Sequence, residues 1–237
     1  MVDKRWEFTG ETKVHFGVIL RRIRSTVKFK LKCGIAISKG ELGGWIEKES
    51  NLSGYAWVSD NAWVSGNAWV SGNAWVSGNA KVSDNACVSG NAKVSDNACV
   101  SGNAWVYDNA RVSGNAWVSG YAKVSGNAWV SGNACVSGNA WVSGNAWVSG
   151  NAMVSDNAWV SGNAEVKSSK DYCVYKNTWS SFHWFTYTRS NKMWKVGCFY
   201  GTGTELIAKA YKDSEKSGKC YEAIVKAQEA IENVMEE

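Results

Sequence analysis

Two histidines and seven cysteines are the residues of this chain best suited to nucleophilic or metal chemistry. The cysteines, Cys33, Cys87, Cys99, Cys135, Cys173, Cys198 and Cys220, are an odd set with no metal-ligand spacing. Such a set predicts free thiols in a reducing compartment. His183 beside Cys173 or Cys198 would make a thiolate pair of the kind used in covalent catalysis. The apolar alternation around each Cys points instead to core packing. Gly201-Thr202-Gly203-Thr204 ahead of a helical stretch could cradle a phosphate. It lacks the full glycine fingerprint and a Lys, so it reads as a turn and a helix cap, with Glu205 completing a capping box. No close pair of carboxylates stands out for acid–base work. The expectation is a protein with no catalytic residue, no metal and no cofactor.

The other chemistry-bearing residues are aromatic and basic, and they sit in a repeat. Twenty aliphatic residues stand six apart, from Leu52, Val58 and Val64 to Val160 and Val166. Around most of them the text is Asn-Ala-x-Val-Ser-Gly or Asn-Ala-x-Val-Ser-Asp. In Asn61-Ala62-Trp63-Val64-Ser65-Gly66, Ala62 and Val64 share one face of a strand, and Asn61, Trp63 and Ser65 share the other. Gly66, or an Asp such as Asp60, Asp84, Asp96, Asp108 or Asp156, tolerates the positive φ of a tight corner. A period of six cannot hold one face of a helix. Each hexad is therefore a short strand and a corner, in a solenoid whose units complete one another's core.

Three hexads make a coil of 18 residues, which sorts the variable outward position into three columns. The first face reads Trp57, Trp75, Lys93, Arg111, Trp129, Trp147 and Glu165. The second reads Trp63, Lys81, Cys99, Trp117, Cys135 and Met153. The third reads Trp69, Cys87, Trp105, Lys123, Trp141 and Trp159. Trp57, Trp75, Trp129, Trp147, Trp69, Trp105, Trp141 and Trp159, with Lys93 and Arg111, form the candidate interaction surface. Large exposed apolar patches mark such surfaces. Stacking of each ring on its neighbour, as in aromatic ladders, is the competing reading, and stacking against sugars or nucleic acid is a third. Trp75, Lys93, Arg111 and Trp129 interleave aromatic and basic groups as single-strand binders do, over only four residues.

Charge bounds the partners. Residues 1–50 carry a net +5, residues 51–166 a net −2 and residues 167–237 a net +2. The rod is neither an acidic nucleic-acid mimic nor a basic duplex binder. The one candidate basic patch is Arg21, Arg22, Arg24, Lys28, Lys30 and Lys32, read first as the solvent face of strands. Met1 to Arg5 lead into alternating polarity, which predicts no signal peptide, and no apolar run is long enough to span a membrane.

Residues 1–45 are expected to be a β-rich cap over the exposed end of the rod. Arg5–Thr9, then Val14, Phe16, Val18 and Leu20, and then Val27, Phe29, Leu31 and Cys33 alternate, with a turn at Gly10. Residues 46–166 are the solenoid. Residues 167–237 are an α+β domain, with strands over Tyr172–Tyr175, Phe182–Thr188 and Met193–Phe199, a helix after Thr202, and a second after Ser217-Gly218.

The hexad, read as Val64-Ser65-Gly66-Asn67-Ala68-Trp69, is similar to the hexapeptide repeat of left-handed parallel β-helices. The fold expected is mainly β: a triangular solenoid of six to seven coils with a β cap and a small α+β end. Trp6-Glu7-Phe8-Thr9-Gly10-Glu11-Thr12, Glu41-Leu42-Gly43-Gly44-Trp45-Ile46-Glu47 and Val196-Gly197-Cys198-Phe199-Tyr200-Gly201-Thr202 resemble a family of phage and prophage proteins. That resemblance implies a host-cell cytoplasm and no particular reaction. The well-known enzymes on hexapeptide β-helices are acyltransferases and zinc carbonic anhydrases, which rely on histidines, and the rod has none. The expected function is a non-enzymatic scaffold that binds a host protein, in its most specific form as a defence-system antagonist, and assembles as a homodimer or homotrimer. The alternatives are a virion-associated or glycan-binding protein and an enzyme that uses the C-terminal domain.

Overall fold

A computed structural model describes residues 4–179 and 182–236. The chain divides into two compact units, and the division falls after Ser169.

The first unit opens with β1 (Trp6–His15), β2 (Val18–Ser25), β3 (Phe29–Lys30), β4 (Ala36–Ile37) and β5 (Leu42–Ile46). Nineteen two-residue strands follow, β6–β24, from Trp57–Val58 to Glu165–Val166. They stack as three parallel sheets, one per face, with partners 18 residues apart, such as Lys81 with Trp63 and Cys99. Each hexad gives its backbone groups to the next coil. Trp63 N–H donates to the Ala80 carbonyl at 3.0 Å, and Ser65 N–H to the Val82 carbonyl at 3.0 Å. Stacking thus satisfies polar backbone that a lone hexad would leave unpaired. The inward Ala and Val side chains from Ala56 to Val166 are at most 2% exposed.

The corners follow from φ. Gly66 has φ 65° and Gly114 φ 68°, and the five Asp at that position have φ between 58° and 61°. At most corners the Asn that follows donates to the Asn one coil away. Asn61, Asn79, Asn97, Asn115, Asn133 and Asn151 form one ladder of side-chain amide bonds, 3.0–3.4 Å long. A second runs from Asn91 through Asn109, Asn127 and Asn145 to Asn163. The repeat places these residues at equivalent corners, and the coil-to-coil amide bonds emerge only from the stacking.

β1, β2 and β5 extend the sheet of the second face, and Trp45 and Ile46 pair with Trp63 and Val64. Gly43 and Gly44 pass across the first coil. A Cβ on Gly43 would lie 2.7 Å from the Val58 carbonyl oxygen, and one on Gly44 2.6 Å from that of Ala62. Several local readings of this region are corrected. Gly10 (φ 92°) sits at a bulge inside β1, and the reversal comes at Phe16-Gly17, both with positive φ. Phe16 is accordingly 90% exposed at the hairpin tip. Of Val27–Cys33, only Phe29–Lys30 is strand, because a turn at Leu31–Gly34 returns the chain to β4.

The second unit is α+β. β25 (Tyr172–Lys176), β26 (Trp184–Thr188), β27 (Met193–Val196) and β28 (Phe199–Gly201) form an antiparallel meander. α1 (Gly203–Asp213) and α2 (Glu215–Glu236) follow. Phe185, Tyr187, Trp194, Val196, Leu206 and Val225 are its buried core. Burial, foremost, pushes the Tyr187 hydroxyl up to about 12. Phe182 lies outside the strand expected for it, at φ 55°, and Gly197 (φ 53°) breaks the run Met193–Phe199 into two strands. Gly218 lies inside α2 rather than before it, where its missing side chain makes room for the Tyr211 ring. Among the described residues, no helix is long and apolar enough to cross a membrane.

Candidate functional site

The outward columns fall on the three faces as the 18-residue spacing requires, but their members differ in exposure. Trp57 is corrected outright: it is fully buried. The ring of Phe29, from the short β3–β4 hairpin, packs edge-on against it at 5.9 Å. The cap therefore covers the start of the first face, and Trp57 belongs to the core. Trp129 and Trp147 stack at 5.5 Å and 12°, and Trp141 and Trp159 at 4.4 Å and 7°.

A second interaction holds most of these rings. The indole N–H of Trp69, Trp75, Trp117, Trp129, Trp141, Trp147 and Trp159 donates to the Ser hydroxyl sixteen residues earlier, in the neighbouring coil. The bond ties a ring against the rod and gives it a structural role. Trp57 and Trp63 have Glu41 and Glu47 at that offset. Trp105 is the exception. Ser89 stands sixteen residues before it, yet among the described residues the Trp105 indole has no acceptor, and the ring is 51% exposed.

Trp105 borders a groove on the third face of about 510 Å³, with Tyr121, Lys123 and Trp141, and with Asn103 and Asn139. The groove holds one of the two breaks in an otherwise uniform text, Tyr121. Between Asn61 and Val166 the Asn, Ala, Val and Ser positions depart from consensus only at Tyr107, for Ser, and Tyr121, for Asn. Tyr121 interrupts the Asn ladder of this corner. Asn85 still donates to Asn103 at 3.3 Å, but Asn103 has no Asn to pass the bond to. Tyr121 is 64% exposed. Lys123 Nζ lies 5.7 Å from the centre of the Trp141 ring. The groove thus offers aromatic faces, a cation, an uncommitted indole N–H and an uncommitted amide. Tyr121 is not among the candidate residues of the outward columns, although it stands out in the sequence as a break in the repeat.

The six basic residues near the N-terminus fall on two segments of chain. Arg22 forms an ion pair with Glu11 at 3.1 Å, donates to the Gly43 carbonyl and lies over the Trp45 ring. Arg24 is paired with Glu7, and Arg21 lies over Phe8. The cross-strand carboxylates of β1 answer the arginines of β2, an arrangement that alternation alone does not disclose. Lys28, Lys30 and Lys32 belong to the separate β3–β4 segment and are exposed.

The thiols divide as well. Burial, foremost, pushes the Cys87 and Cys99 thiols up, which keeps them protonated and poor nucleophiles. In the second unit, His183 and Cys198 line one cavity of about 260 Å³ with Lys209 and Asp213, and Cys173 is not part of it. Cys198 is exposed at the turn between β27 and β28, not packed in an alternating strand. Thr202 and Glu205 close the capping box of α1 on themselves. Thr202 N–H donates to the Glu205 carboxylate at 2.8 Å, and Glu205 N–H to the Thr202 hydroxyl at 3.3 Å. The Gly201–Thr204 loop is therefore a cap whose acceptors come from the chain.

A family model described as the YdcK β-solenoid repeat matches residues 62–78, 104–120, 130–144, 134–150 and 146–162. No curated protein matches the chain in sequence. All five matched segments lie within the stacked coils, and the chain is a β-solenoid repeat protein.

Proposed function

We propose that this protein is a non-enzymatic interaction scaffold of phage or prophage origin. It acts in the cytoplasm of the host bacterial cell and binds a host protein through the groove of the third face. Antagonism of a host defence system is the most specific form of this reading. The observation that carries it is the groove itself: Trp105, held by no indole bond, beside Tyr121, a departure from the repeat. Trp and Tyr are among the residues most enriched at the hot spots of protein interfaces. The phage setting rests on the resemblance of the Trp6–Thr12, Glu41–Glu47 and Val196–Thr202 segments. The non-enzymatic reading rests on the absence of His from the repeat and the raised Cys87 and Cys99 thiols. Self-association into a dimer or trimer through a rod face belongs to the same reading.

The test uses Tyr121→Asn, which restores the repeat, combined with Trp105→Ser. The variant should melt with the wild type yet lose capture of the protein that the wild type retains from host lysate. Light scattering in parallel reports whether the same face mediates self-association. Unchanged capture by a folded variant would sink the third-face reading.

One observation favours a second reading, the binding of a glycan. Asn103 and the Trp105 indole offer hydrogen bonds at the edge of aromatic faces, the chemistry by which saccharides are held. A glycan array that scores with the wild type and not with the double variant would select it.

A further inference from the structure

A separate cleft lies on the first face. The turn of the β3–β4 hairpin reaches the solenoid here, and Lys32 and Cys33 line a cleft of about 320 Å³ with Lys93, Arg111 and the ladder amides of Asn91, Asn109 and Asn127. Two distant stretches of sequence thus bring three cationic side chains to one concavity. None of the three has a carboxylate partner among the described residues. Lys93 only leans toward the Trp75 ring, 5.8 Å from its centre. Asp108 is the acidic residue at this corner, and its carboxylate accepts the Gly126 N–H at 3.1 Å. Three cationic side chains in the lining, against the one carboxylate of Asp108 outside it, leave the cleft with an excess of positive charge that favours an anion.

The neutral lining is also rich in donors. Each ladder amide spends one N–H on the next Asn, Asn91 on Asn109 and Asn109 on Asn127, and keeps a second. Arg111 adds a planar fork suited to oxyanions, and the lysines add point charges. The cleft is within the size range of small-molecule sites and larger than a lone oxyanion needs.

We infer that this cleft binds a soluble phosphate compound, an organic phosphate or polyphosphate, between the β3–β4 turn and the first face of the rod. The site shares no residue with the groove of the third face and does not depend on the function proposed for it.

Calorimetric titration with sodium tripolyphosphate at low salt tests this. The probes are the full-length wild type, Lys93→Gln, Arg111→Gln and Lys32→Gln, with Lys81→Gln and Lys123→Gln as controls. Every solenoid position in this set tolerates other residues, since the equivalent place elsewhere holds Trp, Cys, Met or Glu. The variants should fold, and circular dichroism checks that they do. Each cleft variant should weaken binding about tenfold, as expected for loss of one charge-assisted contact. The two controls should match the wild type. No heat from the wild type at millimolar tripolyphosphate would overturn the proposal, as would equal losses in cleft variants and controls. Sedimentation with phosphatidic-acid vesicles, without binding of free tripolyphosphate, would place the phosphate on a membrane and overturn the soluble ligand.

Discussion

At the corners of the rod, one residue must satisfy both a positive φ and a tight column. A Cβ on Gly66 would lie 2.9 Å from the Asp84 carbonyl oxygen, and one on Gly114 2.9 Å from the Gly132 amide nitrogen. Asp84 nevertheless occupies this position, and it is held by what its side chain does: its carboxylate accepts the Gly102 N–H at 2.9 Å. Asp60, Asp96 and Asp108 do the same for Gly78, Gly114 and Gly126. No Asp stands directly above another, which avoids both crowding and like-charge repulsion. Asp84→Ala keeps the Cβ in the left-handed region and loses the acceptor. Asp84→Gly loses the acceptor but relieves the backbone. The Ala variant should therefore be less stable than the Gly variant by roughly 1 kcal/mol, read from chemical denaturation monitored by circular dichroism. Equal midpoints would show that the backbone conformation is not what selects these residues.

Among the elements, the stacked indoles act as a brace between neighbouring strands. Trp129 and Trp147 combine a parallel stack with hydrogen bonds to Ser113 and Ser131 at 3.0 and 3.1 Å. Replacing both with Ser should lower stability by about 1 kcal/mol for the aromatic pair, and further for the area uncovered. Loss of partner capture at unchanged melting would instead mark them as contact residues. In the second unit, the Thr202 backbone N–H and hydroxyl hold the Glu205 carboxyl below the ordinary value of 4.5. A depressed carboxylate pKa contributes stability above the unfolded value and loses it as pH falls through the folded one. Glu205→Gln should therefore flatten the loss of helical signal from about pH 5 to about pH 3. Parallel acid profiles for variant and wild type would refute this role. These elements also show what the sequence could disclose. A six-residue period fixes inside and outside, so the Val and Ala core, the three columns and both indole stacks were legible. Burial of Trp57 was not, because it depends on Phe29 folding back from another part of the chain. The carboxylates that neutralise Arg22 and Arg24 lie across a strand pair whose register is shifted by a bulge at Gly10, which alternation does not reveal.

For the molecule as a whole, the repeat makes stability of the rod close to a sum over neighbouring coils. Removing Asn127–Gly144, one whole coil, joins Gly126 to Asn145 with every remaining residue on its original face. The Val and Ala core, the corner glycines and the Asn ladder all close up again: Asn109 meets Asn145, and Arg111 meets Trp147. The cost should be that of one coil and the stacks and contacts within it. The shortened protein should fold with a somewhat lower melting temperature and the same shape of β spectrum. Removing only Asn127–Trp129 destroys the phase. Downstream of the cut, Ser would take the inward place of each Ala and Asn that of each Val. Buried polar groups without partners would then cost several kcal/mol in total, roughly 1–3 for each. The three-residue deletion should therefore be far more damaging than the eighteen-residue one, seen as loss of cooperative melting and ready proteolysis within the rod. If the smaller deletion proved the milder, the phase of the hexads could not be what holds the coils together, and the assignment of every outward column would fall with it.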